Sequence, residues 1–531
     1  MLVDRERPSP PQSSANRQIA RAAGVVMIGF VLSNLVGLVR RALEARVFGT
    51  SAVYDAFNAA DRLPDILFVL VAGGALASAF IPTFTEFLEK DDRKGAWRLA
   101  SSIANLVLLV LVVVSLMCWF LAPQIVATIL APDFSPQQQV LTVELLRILL
   151  LTPAIFGVSG LIMGILNTHQ SFLLPALAPT MLWTGMIIGV LFFVPQMGIR
   201  GLAWGKVLGA GMHFAIQVPG LVKLPERRYL PTFGLHLPAV REVGRLMAPR
   251  LLGVSVVQLN FLVNTIIASG LPEGSLTSIN VAFAVMTMPQ VVIAQAISIA
   301  ALPTFSAQIA RGQPEEMRRS LASTIRGILF LSIPAMMGLI LLRTPVISML
   351  FERGEFDAHS VELTAWALLW YTAGLVGHSL VEIVSRAFYA LHDTKTPVFV
   401  GTAAMSLNVA FSLTFPGIFE RYGWMPHGGL ALANSLATAL EMAALLWLMK
   451  RRLAGLEGRY VWSGTGKAVL ATVAMSAVLW WWMGVTTGSS VWLVSLGGIA
   501  LGGAVYGGLM GLFRVEEVGE LVGYVRGRVR G

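Results

Sequence analysis

Fourteen stretches of this sequence are apolar for long enough to cross a lipid bilayer, and that succession leaves room for little but a bundle of membrane helices. They fall at about 20–47, 55–87, 98–122, 139–167, 172–195, 199–222, 240–269, 276–308, 320–349, 360–390, 396–418, 428–449, 464–485 and 490–513, separated by Gly, Pro and charge clusters. In lipid the backbone must satisfy its own polar groups, so the expected fold is an all-α polytopic membrane protein. Only 13% of the residues are charged, against about 25% in soluble domains. A mean hydropathy of +0.72 over all 531 residues excludes a soluble domain on a single anchor.

The net charge of +10 would suit nucleic acid as a partner if the cations formed a surface patch. Instead they mark alternate connections: Lys90, Arg93, Lys94 and Arg98, then Lys223, Arg227, Arg228, Arg241 and Arg245, then Arg311, Arg318, Arg319 and Arg326, then Lys450, Arg451, Arg452 and Arg459. The ends add Arg5, Arg7, Arg17 and Arg21, then Arg526, Arg528 and Arg530, whereas the opposite connections hold only isolated arginines such as Arg200, Arg353 and Arg421. By the positive-inside rule both termini are expected in the cytoplasm, with no nucleic acid bound. Residues 1–19 are polar and Pro/Ser-rich and read as a disordered tail. The first apolar stretch is too long and too charged for a signal peptide, so it is expected to remain in the mature protein.

An internal repeat organises the rest. Leu99-Ala-Ser-Ser-Ile103 matches Leu321-Ala-Ser-Thr-Ile325, an offset of 222, and the same offset carries Phe134 onto Phe356, Thr142 onto Thr364 and Pro175 onto Pro397. Six apolar runs lie between equivalent points, so the copies share one orientation. The expected organisation is an N-lobe of six helices over 20–235, a parallel C-lobe of six over 236–455, and two further helices with a basic tail over 456–531. Parallel repeats of this kind enclose a central transport path in membrane transporters. Pro64, Pro153, Pro249, Pro289 and Pro334 suit bent helices around such a cavity, and Gly160/Gly164 and Gly205/Gly209 suit close helix packing.

Enzymatic constellations do not emerge. Cys118 is the single cysteine and the seven histidines are scattered, so no metal motif is present. Ser463-Gly464-Thr465-Gly466-Lys467 lacks the spacing, the preceding strand and the following Ser/Thr of a phosphate loop, and reads as a helix start. No bound cofactor is expected.

What remains is charge inside apolar runs, where an ionisable group costs about 2.5–3.5 kcal/mol at the membrane centre. Arg40 and Glu44 stand one turn apart and can pair, with Asn34 and Arg41 alongside. Asp61 and Asp65 are likewise one turn apart, flanking Arg62. Internal pairing or snorkelling accounts for Arg46, Lys206 and Arg250. Arg40 and Arg41, deep in their run, read better as cavity-facing. Arginine's planar fork of donors then points to an anionic headgroup, a phosphate or diphosphate.

GLVRRALEARVFGTSAVYDAF, AFIPTF, ILNTHQSFLLPALAPT (165–180), LFERGEFD (350–357) and FYALHDTKTPV (388–398) together resemble the MurJ/MviN lipid II flippases of the multidrug/oligosaccharidyl-lipid/polysaccharide exporter superfamily. The resemblance implies a flippase, not an enzyme, of the bacterial inner membrane. It would carry lipid II, the undecaprenyl-diphosphate-linked peptidoglycan precursor, to the outer leaflet by alternating access. By position the resemblance implies Arg40 and Asp55 as substrate contacts, and the charge reading adds Arg41, Asn34, Asp61 and Arg62 to the candidate substrate-binding set. Na+, a proton or the membrane potential is the implied driving force, with Asn408 and Asn264 as the ion site, and the enzymes of cell-wall synthesis are implied partners. The chain departs from the family pattern where it has Asn34, Phe68, Val69, Gly73, Phe283 and Ala284 in place of charged residues and Glu382 in place of a lysine, with Arg41 as a replacement cation. Those departures keep two alternatives open: a flippase or exporter of another polyprenyl-linked glycan, and a transport-inactive scaffold for cell-wall enzymes.

Overall fold

The computed structural model describes residues 12–71 and 75–513. Arg5, Arg7, Gly73, Arg526, Arg528 and Arg530 lie outside the described residues, as do the side chains of Arg17, Arg21, Pro249 and Arg250. Among the described residues every regular element is helical, and the chain is an all-α polytopic membrane protein. Its contacts divide it into two compact units. The first runs to Glu44 and resumes over Ala56–Gln258; the second is Ala45–Asp55 together with the chain from Leu259 onward.

The first unit is built from α1 (Gln12–Phe48), α2 (Ala52–Val71), α3 (Ala75–Glu89), α4 (Arg93–Phe120), α5 (Ala122–Ile125), α6 (Pro136–Leu149), α7 (Thr152–Thr168), α8 (Leu173–Ile188), α9 (Val194–Met197), α10 (Ile199–Ala215), α11 (Val218–Val222) and the first part of α12 (Pro238–Ser269). Residues 12–19, expected to be disordered, are already helical in α1; Ala15, Arg17 and Gln18 are good helix formers. A core of Phe80, Phe84, Trp97, Leu99 and Leu161 sits among α3, α4 and α7. Helices α8 and α10 touch backbone to backbone, as the glycine spacing on α10 predicts. A Cβ on Gly205 would lie 2.7 Å from the Gly189 Cα, and one on Gly185 only 2.2 Å from the Gly209 Cα. Gly164 differs: a Cβ there would meet Phe80 and Ile81 at an ordinary 3.6 Å, so that spacing marks no comparable approach.

The second unit continues with α13 (Ser275–Gln290), α14 (Ala296–Ala310), α15 (Pro314–Leu341), α16 (Arg343–Phe351), α17 (Ala358–Ala373), α18 (Leu375–Ala390), α19 (Lys395–Arg421), α20 (His427–Arg452), α21 (Gly458–Val485) and α22 (Gly498–Leu512). Phe305, Leu321, Ile328, Ile383, Phe388 and Met449 form its core. The repeat shows in the caps. Ser135 accepts from the Gln138 amide to start α6, and Asp357, one repeat later, accepts from the Ser360 amide to start α17. Pro153 stands in the first turn of α7, where its missing N–H costs nothing, and so is no kink. Pro64, Pro289 and Pro334 are interior, and Pro289 is followed by a wider π-helical turn over Val291–Gln295. Residues 463–467 are continuous helix within α21.

Among the described residues ten helices are long and apolar enough to span, or eleven if α17 and α18, bent by 44°, make one crossing. The expected runs 55–87, 199–222 and 240–269 correspond to α2 with α3, α10 with α11, and α12. α2 holds Asp55, Asp61, Arg62 and Asp65 within its 20 residues, and α10 has 17 residues.

Candidate functional site

In the first unit, α1 presents Arg40 to its own next turn. Arg40 is 8% exposed and Glu44 fully buried, and one guanidinium nitrogen donates to both Glu44 carboxylate oxygens at 2.8 Å. The guanidinium also lies over the Trp183 ring of α8, 4.7 Å from its centroid, a cation–π arrangement. Trp183 is held by its indole N–H donating to the Ser33 hydroxyl at 3.1 Å. Arg41 and Arg62 are half-buried. Asn34 is exposed and its amide donates back to the Phe30 carbonyl, away from this pair.

Lys206 does not snorkel. Its side chain on α10 is 5% exposed, and its ammonium donates to Asp61 at 2.5 and 2.7 Å and to Asp65 at 2.6 Å. The two carboxylates stand one turn apart on α2, so a single ammonium reaches both. Arg40 is near enough to Asp61 for their charges to interact. One electrostatic cluster thus takes in α1, α2 and α10. Its Lys206 limb was hidden in the sequence because 141 residues separate Lys206 from Asp65; the paired acids at helical spacing were the available signal.

Phe68 and Phe283, two of the positions where the resemblance would place charge, are taken up in aromatic packing. In the first unit Phe68 packs against Phe156, with ring centroids 4.5 Å apart and the planes tilted by 47°. In the second, Phe283 makes edge contacts with Phe261, Tyr371 and His378, and Glu382 is paired with Arg386 at 2.6 Å.

Asp55 belongs to the second unit and is 3% exposed. Its carboxylate accepts the Gly274 amide at 2.8 Å, the Thr277 amide at 2.8 Å and the Thr277 hydroxyl at 2.6 Å. It therefore caps α13 from a distant part of the chain, where the helix's free N–H groups and dipole favour an anion. Asp55 is not in the Arg40 cluster, and nothing in its spacing announced Thr277 as its partner.

Asn264 and Asn408 are brought together through Ser412, which sequence reasoning missed although it lies one turn after Asn408. The Ser412 hydroxyl is 3.1 Å from both the Asn264 and the Asn408 side-chain oxygens, while the Asn408 amide donates to Asn260 at 3.1 Å. One hydroxyl hydrogen cannot satisfy two acceptors, so oxygen lone pairs are in excess here. An uncharged, all-oxygen set fits a hard monovalent cation such as Na+. Among the described residues no group of three His, Cys, Asp or Glu side chains forms a site of the divalent-metal kind.

Long apolar helices, an internal repeat and buried intramembrane charge define a multi-helix membrane transporter. The chain belongs to the lipid II flippase MurJ family, whose sequence model matches residues 44–497. It is 32% identical over 428 residues to the lipid II flippase MurJ of Burkholderia cenocepacia, covering 80% of this chain and 82% of that one. A solved lipid II flippase MurJ in an inward closed conformation superposes with a TM-score of 0.80 at 25% identity, covering 93% of this chain and 99% of the other. An inward-facing MATE-family multidrug resistance transporter of the MOP superfamily shares the fold at a TM-score of 0.68 and 15% identity, covering 80% and 96%. The chain is accordingly a multi-pass protein of the bacterial inner membrane.

Proposed function

We propose that this chain flips lipid II from the cytoplasmic to the outer leaflet by alternating access, with both termini cytoplasmic. The observation that carries the reading is Arg40, a buried arginine within a membrane span of a chain that belongs to the MurJ family. An arginine kept there at such cost needs a reason, and a diphosphate headgroup is the ligand its fork of donors suits. Arg41 and Arg62 add cationic character, and Asp61 sets the charge around Arg40. The two repeats, 20–235 and 236–455, are the moving parts of the cycle, and 456–531 is an addition to them. The membrane potential, a proton or Na+ drives it. Asn264, Asn408 and Ser412 are the residues that would hold a sodium ion, whose charge would offset their excess lone pairs. Enzymes that polymerise lipid II are the expected partners at the outer face.

A second reading, transport of a different polyprenyl-linked glycan, is favoured by Phe68 and Phe283 packing where the family pattern has charge. Replacing the flippase of a depleted bacterium with this chain separates the two. Growth supports lipid II as substrate. No growth, with binding of another lipid-linked sugar by the purified protein, supports the second reading. Failure of both leaves the transport-inactive scaffold.

A further inference from the structure

In the first unit two carboxylates converge on one buried ammonium. Glu44 matches Arg40, but Asp61 and Asp65 share the single ammonium of Lys206. Side-chain exposure falls from 46% at Asp65 to 17% at Asp61 and 5% at Lys206, so the lysine is reached past Asp65. Backbone contact between α8 and α10 at Gly189 and Gly205 fixes the helix turn that carries Lys206. On α2, the turn after Asp65 supplies Phe68, committed to Phe156, and no cation.

From this geometry, and resting on the proposed flippase activity, we propose that Lys206 is a substrate-binding cation of the diphosphate site, masked by Asp61 and Asp65 until a diphosphate takes their place. A diphosphate has more charge and more acceptor oxygens than either carboxylate, so it competes well for the three donors of one ammonium. Arg40, whose charge also acts on Asp61, supplies the second cation. The other polar group of α10 in this region, His213, is engaged by Ser159 at 2.7 Å and does not compete for Lys206. The carboxylates thereby set specificity: a singly charged phosphate displaces them less well than a diphosphate.

The test measures binding of undecaprenyl diphosphate and undecaprenyl monophosphate to the purified full-length protein in lipid nanodiscs. Lys206→Gln should weaken diphosphate binding about tenfold or more and reduce the preference over monophosphate. Asp65→Asn should tighten diphosphate binding several-fold, an effect that a purely structural ion pair does not produce. The triple variant Lys206→Met, Asp61→Asn, Asp65→Asn removes all three charges of the Lys206 limb and leaves Arg40 and Glu44 in place. It should melt near the unmodified protein while still binding diphosphate about tenfold more weakly. If the unmodified chain binds neither lipid, the proposed activity fails and takes this inference with it. If the unmodified chain binds and Lys206→Gln or the triple variant binds equally well, or Asp65→Asn binds no more tightly, this inference alone is overturned.

Discussion

Asp55 and Thr277 touch although 222 residues of chain separate them. The Asp55 carboxylate accepts both the amide and the hydroxyl of Thr277. It ties the tip of the first hairpin, Ala45–Asp55, to the start of α13.

Removing that acid should loosen the tie. Asp55→Ala leaves two amides and a hydroxyl at a buried helix start without their acceptor. Hydrogen bonds to charged groups contribute about 1.5–3 kcal/mol, so a destabilisation of about 2–3 kcal/mol is expected. Thermal unfolding of the purified protein reads this directly, and a melting temperature equal to that of the unmodified chain would refute the capping role.

Arg40 and Glu44 should behave as a unit. Truncating one member of a buried ion pair strands the other and costs about 3–5 kcal/mol, whereas replacing both with apolar groups can be neutral. Glu44→Leu alone should therefore lower stability sharply, and Arg40→Met with Glu44→Leu should recover most of it. The double variant should nonetheless fail to sustain growth of a flippase-depleted strain. Growth at the unmodified rate would remove Arg40 from the transport cycle.

Sodium provides a separate check on the second unit. A ligand present at a hundredfold excess over its dissociation constant stabilises the folded state by about 2.7 kcal/mol. Titrating Na+ against K+ at constant ionic strength should raise the melting temperature of the unmodified protein, and Asn408→Ala should abolish that rise. A melting temperature indifferent to Na+ would leave Asn264, Asn408 and Ser412 as a purely structural hydrogen-bond cluster.

Asp393 gives a pH signature outside the membrane spans. Its carboxylate accepts the Thr396 amide at 3.0 Å and the Thr396 hydroxyl at 2.8 Å at the start of α19, and Arg452 lies 3.1 Å away. The Thr396 amide and hydroxyl, with Arg452 beside them, hold the carboxyl below its ordinary value of 3.8. A group depressed on folding contributes stability above its unfolded pKa, and that contribution fades as pH falls through the folded one. Asp393→Ala should cost about 1 kcal/mol at neutral pH, as lost caps do. Its difference from the unmodified protein in hydrogen exchange over the first turn of α19 should vanish in strong acid; a difference independent of pH would contradict the assignment.

Most of the fold was legible because membrane helices are written in local composition, and the repeat in a constant offset. Within the site, the Arg40–Glu44 pair was readable because both members lie on one helix turn. Lys206 and Thr277 were not, because helical spacing says nothing about which distant helix brings its side chain to an acid. Ser412 stood within reach, one turn beyond Asn408, but a serine in a membrane helix ordinarily bonds its own backbone and attracts no notice.

The boundary between the two units falls at Glu44/Ala45, Asp55/Ala56 and Gln258/Leu259, and each time it lies inside a helix: α1, α2 and α12. None of these crossings is a flexible loop. Glu44, the residue that holds Arg40, lies within α1, with helical backbone on both sides of it. Loss of Arg40 from the pair would therefore strand a buried carboxylate on an unbroken helix, where no loop can swing it out to water.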